Sequence, residues 1–190
     1  MLEDWLRALV ATPGLTGISD LAEAQRMLLD DSLRGVAVVS RFEGPIVDVG
    51  SGGGVPGIPL AASLPDREVT LLEAIGRKCD FLREWSPPNA RVLQGRAEEQ
   101  ETDFFGIAVA KALAKPPVAT EWCLPLVRPG GAAVLWAGPN VDTERVARVA
   151  EQIGGELAEV GDGLLVLRKV RPTPEGFPRR TGVASKRPLD

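Results

Sequence analysis

The chain has 190 residues, a length that fits one domain of the usual ~100–200 residues and lets a core form without disulfides or metal. It contains no histidine and no tyrosine, which excludes histidine-based triads, histidine general bases and histidine-containing metal sites. Net charge is −4, but seven bases and two acids between Arg168 and Asp190 leave that segment at +5 and the remainder at −9.

Met1-Leu2-Glu3-Asp4-Trp5 carries acids where a secretory signal would carry bases, and no apolar run approaches the ~20 residues of a membrane span, so a cytoplasmic protein without a membrane partner is expected. Met1–Ala11 reads as an amphipathic helix closed by Thr12-Pro13-Gly14, and Leu21–Arg34 as a second helix packed against a sheet edge. Together residues 1–34 form a short helical cap. Ile46–Val49 is the first strand, ending in the run Gly50-Ser51-Gly52-Gly53-Gly54 before a helix that opens Val55-Pro56-Gly57-Ile58-Pro59-Leu60. Val69–Glu73 is the second strand, and Arg77–Trp85 a helix that stops before Pro87-Pro88. Arg91–Leu93 leads to Gly95-Arg96-Ala97-Glu98-Glu99, and Ile107–Ala110 to Lys111 and a helix containing Val118–Leu126. Pro129-Gly130-Gly131 turns into a fifth strand, Ala132–Trp136, and a helix follows over about Asp142–Ile153. Leu157–Val160 and Leu164–Val170 close a hairpin through Gly161-Asp162-Gly163. From Arg171 the chain becomes a basic tail. Cys79 and Cys123 lack C-x-x-C spacing and read as core residues rather than metal ligands or a disulfide.

Strands alternating with helices predict an α/β fold, a mostly parallel seven-stranded sheet covered on both faces, in a single domain over residues 1–190. A terminal antiparallel hairpin after five βα units separates the Rossmann-like class I methyltransferase fold from the ordinary dinucleotide fold. The glycine run serves two spacings at once. Gly52, Gly54 and Gly57 satisfy the dinucleotide pattern G-x-G-x-x-G. Asp48, Gly50, Gly52 and Gly54 satisfy acid-x-G-x-G-x-G, the first motif of S-adenosylmethionine-dependent methyltransferases. Ligand charge favours the second: a pyrophosphate is repelled by a carboxylate two residues ahead of the first glycine, whereas a sulfonium and an ammonium are attracted.

Other candidates fall at the carboxyl ends of strands, where ligands of parallel sheets bind. Glu73 can accept hydrogen bonds from ribose hydroxyls. Ala97 and Glu98 offer a backbone N–H and a carboxylate to adenine, although Glu98-Glu99 can equally begin a helix. Lys111 stands where a methyl acceptor is presented, as an orienting cation or as a surface charge. The basic tail is either a solvated face or a phosphate-binding edge. With no general base evident, an acceptor that needs no deprotonation fits best. Guanine N7 is one, since its lone pair is free and a cation near O6 can orient the base.

These residues carry a resemblance. Leu28-Leu29-Asp30-Asp31-Ser32-Leu33, Asp48 through Ala61, Gly95-Arg96-Ala97-Glu98-Glu99 and Pro178-Arg179-Arg180-Thr181-Gly182 resemble the bacterial 16S ribosomal RNA guanine-N7 methyltransferase family, also called glucose-inhibited division protein B. The resemblance runs from about Leu15 to Leu189. It implies cofactor contacts at Gly50, Val55, Ala97, Glu98 and Lys111, a catalytic role for Lys111, and a target guanine in the decoding region of the small ribosomal subunit. It further implies RNA contacts at Arg179, Arg180 and Lys186. Apart from the resemblance, composition predicts no metal, and a monomer is expected. Two positions depart from the family's pattern: Lys111 stands where an arginine is usual, and Trp136-Ala137-Gly138 where a lysine is usual. A small-molecule methyltransferase on the same fold, and a catalytically impaired cofactor- or RNA-binding relative, are the alternative readings.

Overall fold

Seven strands form one sheet in the computed structural model, which describes residues 1–190. They are β1 (Ile46–Val49), β2 (Val69–Glu73), β3 (Ala90–Gln94), β4 (Phe105–Lys111), β5 (Val127–Trp136), β6 (Gly155–Gly161) and β7 (Leu164–Lys169), in the order β3-β2-β1-β4-β5-β7-β6. β1 to β5 run parallel, and β7 is antiparallel to both β5 and β6. β1 and β2 are buried at every position, as central strands covered on both faces must be. Their alternating side chains feed two cores. Ile46, Ile107, Val109, Val134 and Val166 pack on one face with Trp5, Leu29 and Ile58. Val47, Val49, Ala108, Leu135 and Leu167 pack on the other with Cys123, Val146 and Val149. No helix is long and apolar enough to cross a membrane.

The turn between β6 and β7 is the two-residue Asp162-Gly163 with φ of 50° and 72°. Positive φ at both positions is the type I′ geometry that matches strand twist. The helix Thr143–Gln152 is capped by Asp142, whose carboxylate accepts from the Arg145 N–H at 2.9 Å.

Four expectations need correction. The helix after the glycine run starts at Gly57 rather than Val55, because Gly54 takes φ +97°, outside the helical region, and the chain first turns on the Ser51 carbonyl. Pro129-Gly130-Gly131 does not precede the fifth strand but lies inside β5: Val127 pairs with Phe105 and Ala132 with Ile107, so the extra residues loop out of the ladder where proline and glycine are tolerated. The segment over Leu21–Arg34 lies on the face of the sheet, with Ala24 and Leu29 in the core, and its middle, Gln25–Asp30, is π-helical. A short helix, Val36–Val39, follows it without having been expected. Residues beyond β7 fold back onto the body, burying Ala184, and the short helix Val183–Lys186 packs beside the helix Pro116–Cys123.

Candidate active site

The strand order reverses between β1 and β4, and ligands of open α/β sheets bind at the carboxyl ends of strands at such a switch point. β1 delivers the glycine loop there. Gly52 has φ +58°, and its N–H donates to Glu73 Oε2 at 2.9 Å, while Glu73 Oε1 accepts from the Ile75 N–H at 2.8 Å. Glu73 is thereby fixed at the end of β2, only 6% exposed, with acceptor capacity left on each oxygen. Beneath the loop Asp48 is fully buried, and its Oδ2 accepts from the Gly57 N–H at 3.0 Å. A Cβ on Gly57 would lie 2.4 Å from Leu71 Cδ2 and 2.5 Å from Asp48 Oδ2, so only glycine lets the helix start come this close. Burial pushes the Asp48 carboxyl up to about 7 against the hydrogen bond from Gly57. The N-terminal helix Leu2–Ala11 braces the loop from outside, as the buried Trp5 donates its Nε1–H to the Gly53 carbonyl at 2.9 Å.

Three cavities meet here. The first, of about 330 Å³, is lined by Gly50, Glu73, Ala97, Glu98, Leu113 and Trp122. The Trp122 Nε1–H is buried with no partner. The second, of about 300 Å³, lies on the other side of the loop against Gly50, Gly52, Val55, Leu28, Lys78 and Lys111. Gly50, Lys78 and Ala112 belong to both walls, so the two halves are continuous around the loop. The third, of about 360 Å³, is lined by Asp31, Arg34, Lys111, Pro116, Trp136 and Ala137. Lys111 and Ala112 separate it from the second.

Lys111 is not a free cation. Its Nζ donates to the Met27 carbonyl, on the π-helical stretch, and pairs with Asp31 Oδ2. The other Asp31 oxygen pairs with Arg34. Burial lowers the Lys111 pKa, and the hydrogen bond and charge of Asp31 oppose that shift.

The sequence profile of the family described as rRNA small subunit methyltransferase G matches residues 3–155. The chain belongs to that family. A ribosomal RNA small subunit methyltransferase G from Symbiobacterium thermophilum is 37% identical over 92% of this chain and 82% of its own length. The family member from Clostridium beijerinckii is 30% identical over the whole of this chain and 87% of its own length. Among solved structures, the T. thermophilus 16S rRNA N2 methyltransferase, in complex with AdoMet and guanosine, superposes with a TM-score of 0.53 at 16% identity, over 74% of this chain and 40% of that one. The antibiotic-resistance methyltransferase Kmr gives 0.54 at 14% identity, over 74% and 93%. At such identities the likeness concerns the fold, which is that of the class I methyltransferases.

Within this family member, Gly50, Gly52, Val55, Glu73, Ala97, Glu98 and Lys111 all line the cavities around the loop. Asp48 does not line them. It acts from beneath, by pinning Gly57. Glu98 Oε1 accepts from the Gly182 N–H at 3.1 Å, which attaches the C-terminal segment to the first cavity's wall. Arg179 is held by both oxygens of the buried Glu121 and also donates to the Arg187 carbonyl, so its guanidinium is engaged within the chain. Arg180 and Lys186 are exposed. Sequence reasoning missed Trp5, Asp31, Lys78 and Trp122. Asp31 stood inside a motif that carried the resemblance, and the other three had no signal beyond residue type.

Proposed function

We propose that this chain transfers a methyl group from S-adenosylmethionine to N7 of a guanine in the 16S rRNA of the small ribosomal subunit. The observation that carries the reading is the place of Lys111, in one wall of the cavity around the glycine loop and in one wall of the cavity beside it. The residues present fit the cofactor. The first cavity combines a carboxylate with spare lone pairs, an unpartnered indole N–H and apolar walls from Leu72 and Leu113, a set suited to a nucleoside. In the second, Lys78 has no ion-pair partner and suits an amino-acid carboxylate.

S-adenosylmethionine, when bound, supplies a methyl group activated by its sulfonium. Glu73 would receive the ribose hydroxyls, Ala97 and Glu98 would hold the adenine edge, and the loop from Gly50 to Val55 would hold the rest. Lys111 donates to guanine O6 and holds the base in line. N7 carries a free lone pair, so no side chain has to remove a proton, which suits a chain without histidine or tyrosine. Alignment and exclusion of water can lower the barrier by roughly 7–11 kcal/mol. Arg180 and Lys186 meet RNA phosphates. One domain carries the site in this proposal, because residues 1–34 and 171–190 both supply contacts to it; the proposal takes it to act as a monomer in the cytoplasm.

The test is transfer of labelled methyl from S-adenosylmethionine to small ribosomal subunits that lack the modification, with the labelled base mapped. Label at one guanine N7 is expected. No label, with cofactor binding intact by calorimetry, would overturn the reading in favour of another acceptor or a catalytically impaired relative. Glu73→Ala should weaken cofactor binding by about 1–3 kcal/mol, and an unchanged dissociation constant would remove Glu73 from the site.

A further inference from the structure

Asp31 has no part in the transfer described above, yet it stands at the centre of the charged wall of the third cavity. Its two oxygens pair with Lys111 and Arg34, and its side chain is 22% exposed towards that cavity. The Trp136 Nε1–H donates to the Asp31 backbone carbonyl at 2.8 Å, which fixes the residue against the end of β5. A carboxylate offers about four acceptor positions, so accepting from two cations leaves room for two further donors. Asp31 lines the third cavity but not the second, Lys111 lines both, and the glycine loop lines the second but not the third. Carboxylate, ammonium and cofactor cavity therefore follow one another in a row.

Guanine carries complementary groups in that same order around its ring. The N2 amine and N1–H are donors, O6 next to them is an acceptor, and N7 follows. We propose that Asp31 reads the Watson–Crick edge of the target base, accepting from N1–H and the N2 amine while Lys111 donates to O6, and so turns N7 towards the cofactor. Adenine in the same seat would set its N6 amine against the ammonium and its N1 lone pair against the carboxylate. Both contacts are repulsive, so the wall selects guanine by rejection as well as by attraction. The inference rests on the guanine-N7 reading of this site.

The test uses small subunits reconstituted with guanosine or inosine at the methylated position. Inosine lacks only the N2 amine and keeps N1–H, O6 and N7. The wild-type chain should prefer guanosine by about tenfold or more in kcat/KM, as one charge-assisted hydrogen bond requires. In Asp31→Ala the rate on guanosine should fall and the preference should collapse towards one. A role for Asp31 in holding Lys111 alone would slow both substrates equally and leave the ratio intact. Should Asp31→Ala fail to fold, the isosteric Asp31→Asn serves, with the ratio again reduced because an amide offers one acceptor oxygen. Equal wild-type rates on the two substrates, or a preference that survives in the variant, overturns the assignment of Asp31 alone. Absence of methyl transfer to either substrate overturns the guanine reading together with it.

Discussion

Asp48 lies fully buried beneath the glycine loop, with Oδ2 on the Gly57 amide and Oδ1 without a partner. Burial raises its pKa to about 7, above the ~3.9 of an unfolded chain. Between those values the folded state binds more protons than the unfolded state, so stability falls as pH rises from about 4 to about 7 and then levels off. Each pKa unit corresponds to about 1.4 kcal/mol. Asp48→Asn removes the titration and keeps an acceptor for Gly57. Its unfolding free energy in urea should therefore decline less across that window and equal or exceed the wild-type value at pH 8. An identical decline in both proteins would place the titration elsewhere. The motif pattern located Asp48 and its distance in sequence from the glycines, but read it as a partner for a cationic cofactor. Its work here is to hold the loop, because β1 turns Asp48 onto the face of the sheet that the helix Gly57–Ser63 covers.

At the level of elements, Lys169 ties the end of β7 to its surroundings. Its fully buried ammonium donates to the Leu124 carbonyl at 3.0 Å, to Thr173 Oγ1 at 2.5 Å, and pairs with Asp103 at 3.1 Å. One side chain thus joins β7, the turn Leu124–Leu126 and the segment that leads into the C-terminal residues. Lys169→Met breaks a buried pair and should cost about 3 kcal/mol, seen as a lower urea midpoint. An unchanged midpoint would mean that packing alone holds the segment. Composition counted Lys169 among the seven bases between Arg168 and Asp190. Its burial was illegible because it depends on Asp103, a residue 66 positions earlier that reaches Lys169 only once β4 and β7 lie on either side of β5. The strand assignments fared better, since β1 and β2 match the apolar runs Ile46–Val49 and Val69–Glu73 end to end.

Across the whole molecule the +5 segment divides into engaged and free cations. Lys169 is buried, Arg179 is held by Glu121, and Arg171 donates to the Glu151 carbonyl at 2.7 Å. Arg168, on β7, is exposed, and Arg180, Lys186 and Arg187 remain exposed on a segment whose Gly182 touches the wall of the first cavity. The last three lie beside the proposed cofactor site, where a phosphate backbone could draw on them. Replacing Arg180 and Lys186 together by alanine should weaken rRNA binding and reduce the slope of log K against log salt by about 1.4, for two single-stranded phosphate contacts. A salt series that leaves the slope unchanged would remove both residues from the RNA face. Arg179→Ala should behave differently, lowering stability through the loss of its pair with Glu121 rather than changing the salt slope.

The sequence by itself determined the central strands β1 and β2, the glycine loop and the acid that ends β2. Each depends on local properties, apolar runs that survive burial on both faces and a backbone free to take positive φ. The seam of the site was decided only in three dimensions. Trp5 reaches Gly53 across 48 positions, and Lys111 reaches Asp31 across 80. Neither pair leaves a periodicity or a spacing to read. What joins them is the packing of the N-terminal helices over the point where the strand order reverses, and that follows from the fit of buried side chains over the whole sheet face.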